Sequence, residues 1–405
     1  MKKLVTMALP LAILLAGATI AVADGNTANQ YQVGESNTAN IDQSGGNSNV
    51  AVQGQGAATL DYFWAGGTYV TGNSASITQS GDGNSAIQTQ LGNYNTAAIN
   101  QFNGGNGAYQ EQTGDYNSAS IWQEGAQGAN AWSQFGAEQY QSGAANYAQI
   151  YQNGASNYGK QYQPGSGNLA LMAQSGSENS AYQEQTGTGN FAGVSQSGAN
   201  PGYIDAGWSY YGAQQYQSGS YNTAYSTQSG NDNLSWQEQN GNSGYVEIGQ
   251  TGTGNIAAQG QWAGEGNMAF IYQQGDYHFA IQEQSGNYNY ASIAQYGSSN
   301  AAYQSQAGES GISRIVQDGA GNQAEQYQGG YYNTADISQS GESNSAGQEQ
   351  NGDSGILTIT QTGSFNDAFQ YQNGYGNTAS ITQSGIGNVA SQHQSGSYNA
   401  ATIVQ

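Results

Sequence analysis

Along most of the chain, small, amide and apolar residues recur in a fixed order. From Asn73 the sequence reads N-S-A-S-I-T-Q-S-G-D-G, then N-S-A-I-Q-T-Q-L-G-N-Y, then N-T-A-A-I-N-Q from Asn95. The unit is N-x-A-x-(I or Q)-x-Q-x-G-x-x, eleven residues long. Its similar residues stand at i, i+2, i+4 and i+6, the two-residue period of a β-strand, and glycine follows at i+8 where the chain has to turn. Each unit is therefore predicted to be one strand and one turn. The fifth position alternates between an apolar residue and glutamine: Ile77, Gln88, Ile99, Gln110, Ile121, and near the C-terminus Ile337, Gln348, Ile359, Gln370, Ile381, Gln392, Ile403. The true repeat is thus 22 residues made of two unlike halves.

Such a period predicts an all-β fold, a β-solenoid of stacked strand-turn-strand rungs with cross-β packing, about seventeen rungs in all. At about 4.8 Å per rung the stack would be roughly 80 Å long. If the two strands of a rung run in opposite directions and both turn Asn, Ala, the fifth residue and Gln inward, counting gives the partners. Asn meets Gln at both ends, Ile meets Ala, and Ala meets the fifth-position Gln, so large opposes small at each level. Stacking then places Asn over Asn and Gln over Gln, which lets each buried amide donate to one neighbour and accept from the other. The ladder residues expected on this basis include Asn73, Gln79, Asn84 and Gln90 in one rung, and Asn333, Gln339, Asn344, Gln350, Asn377, Gln383, Asn388 and Gln394 near the C-terminus.

Three stretches break the register, near residues 58–72, 126–138 and 199–213. They are rich in aromatic or small residues and read as loops bulging from the solenoid, with sticky adhesive patches as the alternative reading. Residues 1–23 open with Met1-Lys2-Lys3, continue as an apolar run from Leu4 to Ile20 and end on Ala21-Val22-Ala23. That is the layout of a cleaved secretory signal peptide, so the repeat solenoid is expected over 24–405. No later segment is long and apolar enough to span a bilayer, so no membrane span is expected in the mature chain. Charged residues make up 7% of the chain and glycine fills 62 positions, so order has to come from the period rather than from globular composition. Export would permit disulfides, but the chain has no cysteine, which leaves packing and backbone pairing to hold it.

The spacing of Asn73, Gln79, Asn84 and Gln90, N-x5-Q-x4-N-x5-Q, closely resembles the repeat of curlins, the amyloid subunits of bacterial curli fibres. The likeness recurs over nearly the whole mature chain, with Asn often standing where the family's major subunit opens a repeat with Ser, and with several-fold more repeats. The resemblance implies secretion through a dedicated outer-membrane pore, nucleation at the cell surface by a nucleator subunit, and an extracellular structural role in biofilm matrix and cell adhesion.

Other chemistry finds little support. Once Lys2 and Lys3 are removed, only Lys160 and Arg314 face 26 acidic residues, too few cations to displace counterions, so nucleic acid is not an expected partner. His278 falls at an Asn ladder position and His393 at an outward one, neither with a second ligand at metal spacing. The glycines recur at turns that no helix follows, unlike phosphate cradles. Glu111, Glu184, Glu238, Glu283 and Glu349 all occupy one outward position, as on a decorated scaffold rather than as paired carboxylates. No enzyme, catalytic residue, metal site or cofactor is expected. The competing reading is a secreted monomeric β-solenoid that binds a surface such as polysaccharide or ice. An ice-binding face would show regular Thr-x-Thr rows, whereas the outward columns mix Ser, Thr, Tyr and Glu. Finally, the last unit, Asn399, Ala401, Ile403 and Gln405, stops at a core glutamine with no polar cap, and is expected to be a docking edge for head-to-tail self-assembly.

Overall fold

A computed structural model of the chain describes residues 25–44, 46–56, 69–126, 135–201, 203–205 and 208–405. The expected signal peptide lies outside the described residues, as do 58–68 and 127–134 of the first two register breaks.

Alternate units pair with one another, which sorts the strands into two sheets of sixteen. One sheet collects the halves whose fifth residue is mostly isoleucine, the other those with glutamine, and we call them the isoleucine and glutamine sheets. Within each, neighbours run parallel and in register: Ile99 of Thr96–Phe102 lies beside Ile121 of Ser118–Ala126, and Gln348 of Ser345–Asp353 beside Gln370 of Asp367–Tyr375. The molecule is an all-β solenoid of about 16 turns with a 22-residue spacing. The turn count falls short of about seventeen for a specific reason. At the three inserts the spacing of stacked glutamines grows to 35, 29 and 32 residues without a strand being added to either sheet.

Between the sheets the large-against-small rule is visible side chain by side chain. Ile248, Ile271, Ile293, Ile315, Ile337, Ile359 and Ile381 interleave with Ala257, Ala280, Ala302, Ala324, Ala346, Ala368 and Ala390, all buried. Ile77, Ile99, Ile121 and Ile150 do the same with Ala86, Ala108 and Ala137. The smaller Ala column of the isoleucine sheet, for instance Ala335 and Ala379 around Leu357, makes separate apolar clusters, because the residue facing it is the fifth-position glutamine.

Two turn positions close each rung. In most rungs the glycine at i+8 has positive φ, as at Gly341 (120°), where a Cβ would also collide with the carbonyl oxygen of Gly363 in the next rung. Glycine is required by the contact as well as by the backbone. The residue before most ladder asparagines is also left-handed even when it carries a side chain, as at Ser343 (55°) and Phe365 (56°). In the third insert, Tyr203–Asp205 and Trp208–Tyr210 pair antiparallel as a hairpin outside both sheets. Tyr211, just beyond it, stacks between Tyr158 and Tyr182 on the outer side of the glutamine sheet. Val70–Thr71, at the end of the first break, pairs with Gly34–Glu35. No helix of the described residues is long and apolar enough to cross a membrane.

Candidate functional site

The features with chemical character in this fold are its amide columns. Three glutamine columns run the length of the solenoid as unbroken hydrogen-bonded ladders. The seventh-position glutamines of the isoleucine sheet connect from Gln43 to Gln79, Gln101 and Gln123, and onward through Gln339, Gln361 and Gln383 to Gln405, at 2.8–3.0 Å. Those of the glutamine sheet connect Gln55, Gln90 and Gln112, and later Gln350, Gln372 and Gln394, at 2.8–3.0 Å. The fifth-position column joins Gln88 to Gln110 at 2.8 Å and ends with Gln370 donating to Gln392 at 3.0 Å.

Every link has the same sense: Nε2 of one rung donates to Oε1 of the next rung toward the C-terminus. The second N–H supplies the reason. Gln90 Nε2 also donates to the Ser74 carbonyl at 3.1 Å, Gln101 to Ser85 at 3.0 Å and Gln110 to Ala98 at 3.0 Å. Turning an amide over would set its oxygen against that fixed carbonyl. Both donors and the acceptor are thus used, a full account of a buried primary amide. These cross-core bonds also join the seventh-position Gln of one strand to the residue beside the ladder Asn of the other, so the strands of a rung run in opposite directions.

The asparagines behave differently from the expected Asn-over-Asn stack. Asn73 accepts the backbone N–H of Asn95 at 2.8 Å through Oδ1 and donates Nδ2 to the Gly92 carbonyl at 2.7 Å. Asn377 likewise accepts from Asn399 N–H at 2.9 Å and donates to the Gly396 carbonyl at 2.8 Å, and Asn333 accepts from the Gly355 N–H at 2.9 Å. These isoleucine-sheet asparagines bind backbone. On the glutamine sheet an amide link is added, as from Asn106 Nδ2 to Asn84 Oδ1 at 3.0 Å, Asn366 to Asn344 at 3.0 Å and Asn388 to Asn366 at 2.9 Å. These links run opposite to the glutamine ladders. The shorter side chain sits at the turn, within reach of a glycine carbonyl and the next rung's N–H. Each asparagine therefore clamps a turn while it stacks.

The expected ladder residues are buried, save for half-buried Asn388. Of the expected edge, Ile403 is partly buried against the apolar core, while Asn399 and Gln405 are exposed. Among the described residues, two buried side-chain atoms have no hydrogen-bond partner, Asn49 Nδ2 and Gln392 Nε2. Gln392 is the last glutamine of the fifth-position column, and the unused atom is the donor that its predecessors pass to the next rung.

His278 takes the place of a ladder asparagine. Its own N–H donates to Asn255 Oδ1 at 3.0 Å and its Nδ1 accepts the Asn300 N–H at 3.3 Å. Nε2 lies 3.2 Å from the Gln274 carbonyl. Burial holds its pKa below the ordinary value of 6.5, against smaller opposing effects of the Gln274 and Gly297 carbonyls and the Asp276 carboxylate. On the outer face, several glutamates accept tyrosine hydroxyls: Glu111 from Tyr109 at 2.8 Å, Glu184 from Tyr182 at 2.7 Å and Glu283 from Tyr303 at 2.8 Å. The residues lying beside the five glutamates in the sheet are never another of the five: Glu111 neighbours Tyr140, Glu184 neighbours Tyr162 and Tyr216, Glu238 neighbours Tyr216 and Gly260. Burial and then the Glu283 hydrogen bond push the Tyr303 hydroxyl up to about 12.

The direction of the ladders and the backbone role of asparagine were not visible in the spacing of residues. Spacing places the amides in columns but leaves open which way each amide faces. A signal was present for the second: where Gly244, Gly311 and Gly355 replace the asparagine, a partner with no side chain still completes the bond through its backbone N–H.

A family model described as the curlin associated repeat matches residues 71–102, 332–363 and 356–385. Among curated proteins, none matches. The matched stretches fall on stacked strands such as Ser74–Gln79, Ser85–Gln90 and Thr96–Phe102 at one end and Thr334–Glu342 and Ile356–Ser364 at the other. Over these three stretches, which lie on stacked rungs of the solenoid, the chain is similar to the curlin associated repeat.

Proposed function

We propose that the chain is an exported structural subunit of curli-type amyloid fibres, contributing to biofilm matrix and cell adhesion. It assembles with copies of itself, head to tail. By family resemblance its other partners are a nucleator subunit and an outer-membrane secretion pore.

The observation that carries this reading is the polarity of the amide ladders. Each ladder passes a donor toward the C-terminal rungs, and at Gln392 that donor is buried without an acceptor. The acceptor it lacks is the kind of atom that Gln30 Oε1 offers, since Gln30 uses its Nε2 on Gln53. An unlike-ended contact of this sort propagates as a filament unless the rotation closes a ring. Val389–Ser397 and Ala400–Val404 are the outermost strands of the two sheets at the same end, and unpaired strand edges template the addition of further strands.

Electron microscopy and fibre diffraction of the purified mature protein test the proposal. Fibres with spacings of about 4.7 and 10 Å are expected, without cofactor or enzyme. A protein that stays monomeric for days at high concentration and does not extend seeds would falsify it, and would favour the monomeric surface-binding reading.

A further inference from the structure

The turns between rungs place tyrosines in vertical columns, and two of these residues are in direct contact. Tyr94 and Tyr116 are the residues immediately before ladder Asn95 and Asn117 in successive rungs, with φ of 56° and 60°. Equal backbone geometry one rung apart lets their rings stack, with centroids 5.1 Å apart and planes 12° from parallel. The pair is held from below and from the side. The Tyr94 ring covers Gly72, where a Cβ would run into the ring carbons. Tyr94 N–H donates to the Thr71 carbonyl and Tyr116 N–H to the Asn93 carbonyl, both at 2.9 Å. The Asp115 carboxylate accepts the Asn93 N–H at 2.7 Å, tying the same two turns together.

Exposure separates this pair from the other stacked tyrosines. Tyr94 is 51% and Tyr116 63% exposed. Tyr158 and Tyr182, which sandwich Tyr211, instead bond their hydroxyls to Glu138 and Glu184, and Tyr158 is buried. The exposed pair therefore combines stacked rings with open access for a reagent, in a chain of 31 tyrosines and no cysteine.

We propose that Tyr94 and Tyr116 form an oxidative cross-linking site, at which a haem peroxidase with hydrogen peroxide joins successive rungs through a dityrosine bond. Each phenol gives up one electron and its hydroxyl proton to become a neutral tyrosyl radical. The two radicals pair their odd electrons in a carbon–carbon bond between ring carbons ortho to the oxygens. Each joined carbon then loses its hydrogen as a proton, the phenol oxygens take up protons, and both rings regain aromaticity. The net change is two phenols to one biphenol with release of two electrons and two protons, which one hydrogen peroxide consumes to give two waters. The bond would tie rungs covalently, as a disulfide does in a cysteine-bearing chain. It goes beyond the proposed role in fibres and does not depend on it, since both rings belong to one molecule.

The test treats the freshly dissolved full chain with peroxidase and hydrogen peroxide at several protein concentrations, and reads dityrosine fluorescence together with cross-linked peptides by mass spectrometry. A Tyr94–Tyr116 peptide pair lighter by two hydrogens is expected, at a yield independent of protein concentration, and the treated protein should unfold at a higher temperature. Y116F keeps the stacked ring, and Phe365 shows that phenylalanine is accommodated at this turn position with a φ of 56°. This variant should lose the peptide pair and the thermal shift while folding as the parent does. Dityrosine found only between molecules, rising with concentration, would overturn the proposal. So would a thermal shift of equal size in Y116F, or the absence of the pair under conditions that couple free tyrosine.

Discussion

A buried amide is costly unless its two donors and its acceptor are all met, and in this chain many ladder glutamines depend on three neighbours to meet them. Gln361 shows the consequence. It accepts from Gln339, donates to Gln383 and donates to the Ser345 carbonyl, at 2.8–2.9 Å. Gln361→Ala strands one donor and one acceptor of the adjacent amides in the core, and should cost about 3 kcal/mol from unsatisfied groups alone. Chemical denaturation measures it; a loss no larger than that of an exposed substitution such as Ser338→Ala would show that the ladder does not contribute. His278 makes a different prediction. As the neutral ring it accepts the Asn300 N–H, and the protonated ring would set two donors against each other. Its folded pKa lies below the ordinary value, so the unfolded chain takes up the proton first. The contribution of this rung to stability is complete above about 6.5 and is lost as pH falls through the lowered folded pKa. His278→Asn restores an amide and should flatten this part of the pH–stability profile. Parallel profiles for the two proteins would count against the assignment.

At the scale of the strand, register governs both the core and the charges outside it. A slip of one residue would turn the amides outward and the tyrosines inward, so the Ile–Ala interlock and the turn glycines reinforce one alignment. The outward glutamates are spread along the glutamine sheet with tyrosine, glycine or serine between them. Carboxylates one rung apart would repel, and spacing them tempers edge-to-edge association without forbidding it. Replacing Glu111, Glu184, Glu238, Glu283 and Glu349 together by Gln should shorten the lag of fibre formation and reduce its dependence on salt. Lag times that match the parent's at both low and high ionic strength would refute this.

The molecule as a whole has two unlike ends because its hydrogen bonds alternate in direction along each strand. Thr378 N–H donates forward to the Asn399 carbonyl, whereas Gln405 N–H donates back to the Thr382 carbonyl. Outward residues therefore point their N–H groups toward the following rung and inward residues toward the preceding one. In Ala400–Val404 the N–H groups of Thr402 and Val404 accordingly face the open edge, and the core side chains Ala401 and Ile403 are unaffected by what happens there. Proline at Thr402 and Val404 removes those donors while sparing the bonds to Thr378–Ile386. The double variant should fold but extend seeds poorly at one end, as followed by single-fibre imaging. Growth from both ends at the parent's rate would show that this edge is not a growth surface.

Much of this architecture is legible in the residues themselves, because a β-solenoid repeats one local decision. The two-residue alternation of Asn73, Ala75, Ile77 and Gln79, with Gly81 beyond, decides strand, turn and inward face. The exchange of Ile77 for Gln88 eleven residues later decides which halves share a sheet and which side chains oppose. The tertiary structure decides what depends on groups shared by every residue. Backbone carbonyls of the facing strand orient the glutamine amides, so ladder polarity appears only when Gln90 and Ser74 are brought together. Backbone N–H groups of the next rung draw the asparagines away from a pure side-chain stack, as Asn95 does to Asn73. The contact of Tyr94 with Tyr116 likewise comes from a left-handed turn repeated one rung apart. Side-chain type marks where the pattern stands; the direction of each bond is set by main-chain atoms, which a list of side chains does not distinguish.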